Sequence, residues 1–194
     1  MPVAEWSELE ARLRSRVTGE RLAHTYRVLE YARHLARLHG ADPTQAAVAA
    51  LMHDYAKPLP PEALLREAER LGLSVHPVER AAPHLLHGPV AAALLAEEGL
   101  VTDGDVLQAI ATHTTGRAEM TLLEKVLYVA DYAEPGRRFP GAAAVRETAE
   151  KDLDRALLEA LDNSLVYLVQ QGWLIHPASV EARNWLLQRG PARR

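Results

Sequence analysis

Over residues 20–38 the apolar positions recur at helical spacing. His24, Val28, Tyr31, Leu35 and Leu38 follow at steps of four, three, four and three. A second stripe, Leu22, Tyr26, Leu29, Ala32 and Ala36, lies beside it. Two adjacent stripes make the cylinder broadly apolar, so the helix is expected to be mostly buried with His24 facing inward. Gly40 suits its C-terminal end. A shorter helix is expected before it, over 4–17.

The helical period continues along most of the chain. Asp42-Pro43-Thr44-Gln45 reads as an N-cap, a proline at the first helical position and a capping partner three residues on. The helix it starts is expected to end near Lys57, because Pro58, Pro60 and Pro61 cannot continue it. Its last turns, "AALMHDYAKPLP", place His53, Asp54 and Lys57 in a stretch otherwise built for burial. A helix over 62–71 follows, stopped by Gly72. "SVHPVERAAPHLLHGP" reads as irregular. Pro89 is expected to open a helix to about 98, with His87 at its edge. Asp105 is expected to cap a helix to about 112, which puts His113 at its end. Thr121 and Glu124 form a capping-box pattern ahead of a helix that carries Asp131 and stops at Pro135. "EPGRRFPG" is a loop. Long helices are expected over 142–171 and 178–188, split by "GWLIHP". Strand alternation, repeats and Gly/Ser linkers are missing. The pattern predicts an all-α, single-domain helical bundle spanning 1–194, with a core over about 18–135 and the helices of about 142–190 packed on it.

Composition narrows the chemistry. The chain has 194 residues, enough for one sizeable core. With a single Phe, that core must be filled by Leu, Ala and Val. There is no cysteine, which excludes disulfides, thiolate zinc sites and Cys nucleophiles. A net charge of −4 gives no global field for a nucleic-acid backbone, so DNA is not an expected partner. The basic "RGPARR" end reads as a solvated tail. The charged N-terminal stretch lacks a secretory h-region and no apolar run is long enough for a membrane, so a cytoplasmic location is expected. The C-terminal helices could pair in a homodimer, although no heptad requires it.

Imidazole and carboxylate suit Fe, Mn and related ions. His24 is expected inside one helix, His53-Asp54 at the end of the next, His87 and His113 at helix edges, and Asp131 inside a later helix. Each alone has a plainer reading. His24 could be a hydrogen-bonded core histidine, and His87 and His113 polar caps. Asp131 follows an apolar run, and a buried carboxylate needs a cation, which an arginine or a metal would supply. The order His…His-Asp…Asp favours the metal. Walker, G-x-G-x-x-G, H-E-x-x-H and G-x-S-x-G motifs are all absent.

With "RLAHTYRV", "ALMHDYAK", "LLHGPVAA", "HTTGRAEMTLLEKVLYVADYAEPGRRFPG", "EKDLDRALLEALDNSL" and "GWLIHP", the chain resembles the HD superfamily of metal-dependent phosphohydrolases. Within it, the chain is most similar to the YqeK family of symmetrical bis(5′-nucleosyl)-tetraphosphatases. The resemblance implies hydrolysis of diadenosine tetraphosphate to two ADP at a centre of one or two metal ions, usually iron; nitrogen and oxygen donors as such accept Mn, Co, Ni or Zn as well. It implies His24, His53, Asp54 and Asp131 as metal ligands. His87 and His113 match histidines that hold a second metal in some branches and touch phosphate in others. By position it implies that Lys57 is catalytic with His53, Asp54, His87 and His113. It also implies nucleotide contacts from Arg21, His24, Lys57, His87, His113, Thr114, Arg137 and, in "GWLIHP", Gly172, Ile175, His176 and Pro177. The chain departs from the pattern at Glu119 and Gly136, where the family often has Asn. The rival readings are another HD phosphohydrolase acting on nucleotides or cyclic dinucleotides, and a nucleotide-binding assembly partner without relevant turnover.

Overall fold

The computed structural model describes residues 5–189. The basic tail after Arg189 and the expected first residue of the first helix lie outside that range. Every regular element among the described residues is helical: α1 Trp6–Arg16, α2 Gly19–His39, α3 Pro43–Met52, α4 Pro61–Arg70, α5 Pro77–Ala81, a 3₁₀ turn Pro83–Leu86, α6 His87–Glu97, α7 Gly104–Thr112, α8 Leu122–Ala133, α9 Ala142–Ala149, α10 Leu153–Gln171 and α11 Pro177–Arg189. None of them is long and apolar enough to cross a membrane.

α3 is the hub, packing against α1, α2, α7 and α8. Its residues from Ala46 to Met52 are all buried. The alanines explain how: a thin helix lets several neighbours close around it at short range. α2 and α8 also pack on each other, and α10 lies across α8 and α9. Buried Leu, Val and Ala from α1 through α11 form one continuous apolar cluster, as the scarcity of aromatics required.

Local signals placed several boundaries. The Asp42 carboxylate accepts from the amides of Thr44 and Gln45 at 2.7 and 3.2 Å. Thr121 and Glu124 close a full capping box. Gly40 ends α2 in the left-handed region, at φ 83°.

Other expectations need correction. α3 stops at Met52, not near Lys57. The His53 ring takes the Ala50 carbonyl at 2.7 Å, which is the acceptor the next helical amide would use. The chain then tightens into bonds three residues apart, Tyr55 to Met52, Lys57 to Asp54 and Leu59 to Ala56. The Gln45 side chain does not reach back to the Asp42 cap. Its amide nitrogen donates instead to the Asp103 carboxylate at 2.9 Å. Asp103, not Asp105, caps α7, accepting from the amides of Asp105 and Val106. The stretch before Pro89 is not irregular: Pro77 and Pro83 each open a short turn, and α6 begins at His87. The long helix expected over 142–171 is two, α9 and α10, because the Asp152 side chain accepts from the Arg155 amide and starts a new helix.

Candidate metal centre

Three histidines reach the centre of the molecule by one device. His53 follows α3, His87 follows the 3₁₀ turn and His113 follows α7. Each places Nδ1 against the carbonyl three residues back: His53 on Ala50 at 2.7 Å, His87 on His84 at 2.6 Å, His113 on Ile110 at 2.7 Å. A carbonyl only accepts, so Nδ1 carries a proton, and in the neutral ring Nε2 presents a bare lone pair. All three rings are buried. Gly88 makes part of this possible. A Cβ there would lie 2.9 Å from the carbonyl oxygens of Ile110 and Ala111, so only glycine lets the start of α6 meet the end of α7.

Two carboxylates complete the cluster. Asp54 Oδ1 lies 3.3 Å from His87 Nε2, 3.8 Å from His53 Nε2, 4.0 Å from His113 Nε2 and 3.9 Å from the Lys57 ammonium. Asp131, on α8, brings Oδ1 to 3.0 Å from His24 Nε2 and 3.8 Å from His53 Nε2. Burial opposes the charge of Asp54, but His53, His87 and Lys57 overcome it and hold the carboxyl far below the usual carboxylate range. Burial likewise opposes Asp131, and His24, with its ring 3.0 Å away, and His53 beyond it hold it far below that range too. Burial, helped by His87 and His53, pushes His113 down to about 3, which leaves it a neutral imidazole.

The cluster has too many acceptors. His87 Nε2 and His113 Nε2 face each other at 3.0 Å. His53 Nε2 is buried with no hydrogen-bond partner. The nearby donors are the Lys57 ammonium, 3.2 Å from His87 Nε2, and the Thr114 hydroxyl, 3.2 Å from His113 Nε2. A buried polar atom left without a partner costs about 1–3 kcal/mol. A cation among these lone pairs removes that cost. Two overlapping sets have ligand atoms within 4.8 Å of one another: His24, His53 and Asp131, and His53, Asp54 and His113. Neutral imidazole and carboxylate are the donor types a divalent transition metal takes. The residues present fit a metal.

A family model for the HD domain matches residues 21–136. The chain belongs to the HD domain family. The matched span opens at Arg21 and closes at Gly136, so it takes in all four proposed ligands of this HD protein. Two curated relatives are named symmetrical bis(5′-nucleosyl)-tetraphosphatase. The one from Bacillus subtilis is 42% identical over 93% of this chain and 96% of its own. The one from Halalkalibacterium halodurans is 42% identical over 88% of this chain and 91% of its own. A crystal structure from Clostridium acetobutylicum, described as an HD superfamily hydrolase involved in NAD metabolism, superposes on this HD protein with a TM-score of 0.94 at 35% identity. The match covers 97% of this chain and all of that one.

The remaining expected residues fall into two groups. Arg21 and Arg137 stand at the rim. The Arg21 guanidinium is 3.5 Å from Asp54 Oδ2, and that of Arg137 is 3.1 Å from Asp131 Oδ1. Lys57 reaches the cluster although it is not on a continuing helix. Gly172 and His176 line a cavity of about 640 Å³, whose wall also includes Thr114, His84, Tyr167 and Trp173. Thr114 therefore joins cavity and cluster. Ile175 and Pro177 are not among the lining residues. The sequence reading missed Glu134, whose carboxylate lies 3.1 Å from His24 Nδ1 and accepts from the Arg27 guanidinium at 2.9 Å. Its signal was present: Glu134 lies one helical turn after Asp131, on the same face.

Proposed function

We propose that this protein hydrolyses dinucleoside tetraphosphates symmetrically, diadenosine tetraphosphate to two ADP, and that the whole chain works as one HD-type unit. The observation that carries the reading is the convergence of Asp54 and Asp131 on the unpartnered Nε2 of His53, in a chain 42% identical to enzymes of that name. His24, His53, Asp54 and Asp131 would hold one transition metal, iron first, with Mn, Co or Ni able to take the same donors. His87 and His113 would hold a second ion or the phosphate. A bound ion supplies Lewis acidity, making water acidic enough to attack near neutral pH and drawing charge from a phosphoryl oxygen.

The chain's own groups supply the rest. Attack on the second phosphorus from one adenosine forms one P–O bond and breaks the bond to the central bridging oxygen, so two ADP leave. Charge spreads over the phosphoryl oxygens in the transition state. Lys57, Arg21 and Arg137 offer fixed positive charge where those oxygens would sit. Catalytic roles for His53, Asp54, Lys57, His87 and His113 follow from that placement. A volume of about 640 Å³ suits a nucleoside. With one adenosine in the cavity, Thr114, His176 and Gly172 would set the distance to the centre, and Arg21 and Arg137 would hold the phosphates. Ile175 and Pro177 would shape the same segment from behind.

Product analysis tests the reading. The metal-loaded protein incubated with diadenosine tetraphosphate should give ADP as the sole nucleotide product on chromatography. ATP with AMP, or free phosphate, would overturn symmetric cleavage. Arg137→Ala should raise KM about tenfold or more, since one charge-assisted hydrogen bond is worth about 1.5–3 kcal/mol. Metal content should stay that of the parent. If the metal is lost instead, Arg137 supports the centre and does not grip phosphate.

A further inference from the structure

Among the histidines of the centre, His24 is the exception. It sits in the body of α2, where its carbonyl neighbours are engaged in the helix, so the device that orients His53, His87 and His113 is not open to it. Its ring is nonetheless fixed. Nδ1 lies 3.1 Å from Glu134 Oε1, and Nε2 lies 3.0 Å from Asp131 Oδ1. Either nitrogen could carry the single proton of a neutral imidazole. Which one does so decides whether His24 faces the centre with a lone pair or with an N–H.

We propose that Glu134 is the positioning residue that holds the proton of His24 on Nδ1 and so makes His24 a metal ligand. The proposal rests on the metal reading above. Glu134 is not itself a free ligand. Its side chain is 1% exposed and both oxygens are taken. Oε1 accepts from His24; Oε2 accepts from the Arg27 guanidinium at 2.9 Å and from the amide of Gly136, a short contact. Three donors converge on one carboxylate. Arg27 balances its charge from the outer side, and Arg146 holds the turn in place by donating to the carbonyls of Ala133 and Glu134 at 2.7 and 3.0 Å. Gly136 is the close approach. A Cβ there would stand 2.4 Å from Arg27 Nε and 2.9 Å from Glu134 Oε2.

A glutamine at 134 has the same shape but one acceptor oxygen. Arg27 and Gly136 both need an acceptor on one side, so the amide oxygen turns to them. The amide NH₂ then faces His24, which must accept at Nδ1 and carry its proton on Nε2. His24 thus becomes the wrong tautomer for the centre without any loss of volume. Partners of this type change metal affinity about 10- to 100-fold when removed.

Two measurements test this. In the metal-free protein, at a pH high enough that the ring is neutral, nitrogen-15 imidazole spectra, with His24 assigned by its loss in His24→Ala, should show His24 protonated on Nδ1, and protonated on Nε2 in Glu134→Gln. Titration with Mn²⁺ should then show affinity in Glu134→Gln about 10- to 100-fold below the parent, at an unchanged circular dichroism spectrum. An Nε2 proton on His24 in the parent, or equal Mn²⁺ affinity in the two proteins, would overturn the proposal. If the parent binds no metal at all, the metal reading fails, and the tautomer spectra still decide the role of Glu134.

Discussion

Asp54→Ala should yield a folded protein that retains no stoichiometric metal and turns over dinucleoside tetraphosphate at least on the order of a thousandfold more slowly. The reason is geometric. Asp54 is the side chain through which the cluster is connected: one oxygen lies within 4.0 Å of His53, His87, His113 and Lys57, while the other faces Arg21. Without it, His53 and His113 lose the carboxylate that completes their set of potential ligands. Lys57 and Arg21 lose their counter-charge and are free to turn toward solvent. Elemental analysis of the purified variant together with a single-turnover assay measures both effects. Parental activity at normal metal content would remove Asp54 from the centre and with it the whole ligand assignment.

The second large effect lies outside the centre. Arg117→Ala should destabilise the fold by about 2–3 kcal/mol, read as a lower denaturant midpoint at unchanged slope. Glu124 is fully buried, at 0% exposure. Its carboxylate takes both arms of Arg117, at 2.7 and 2.8 Å, the Thr112 hydroxyl at 2.9 Å and the Thr121 amide at 2.7 Å. Burial opposes its charge, and the Arg117, Thr121 and Thr112 bonds hold its pKa below the ordinary glutamate value. Removing Arg117 strands a buried negative charge. The same carboxylate ties the end of α7 to the start of α8, so His113 and Thr114 should lose order as well. A melt unaffected by Arg117→Ala would show that Thr112 and Thr121 suffice for Glu124. Arg117→Lys should restore little, because one ammonium cannot replace two parallel guanidinium bonds.

Local information explains what was readable along the chain. Asp42 before Pro43, Thr121 with Glu124, and Gly40 after α2 act within a few residues, so their effect on the backbone is written in adjacent letters. The two stripes of α2 announced a face that is buried from Val28 to Ala36, but the helix is not mostly buried and Leu38, at the end of the first stripe, is 46% exposed; seven consecutive residues of α3 proved buried. The all-helical class followed from period alone. Errors arose where a side chain took a partner that adjacent letters do not show. The His53 ring takes the Ala50 carbonyl where α3 ends, and the Gln45 side chain goes to Asp103, fifty-eight residues away, while its backbone amide stays with Asp42.

The site divides in the same way. His24, His53, Asp54 and Asp131 could be named because their residue types suit a metal and their order resembles that of a known family. Their chemistry could not be. That His53, His87 and His113 each anchor Nδ1 and aim Nε2 at one point depends on where α3, the 3₁₀ turn and α7 end in space. That Glu134 turns to His24 depends on α2 packing on α8, and that Thr114 links the cavity to the cluster depends on α10 walling the cavity beside it. By itself, the sequence determined the helical class, the buried face of α2, the burial of α3, and the supply of imidazole and carboxylate. The tertiary structure alone decided which lone pairs meet and which proton each ring keeps, because helix ends answer to neighbours in the chain while a coordination shell answers to how separate helices pack.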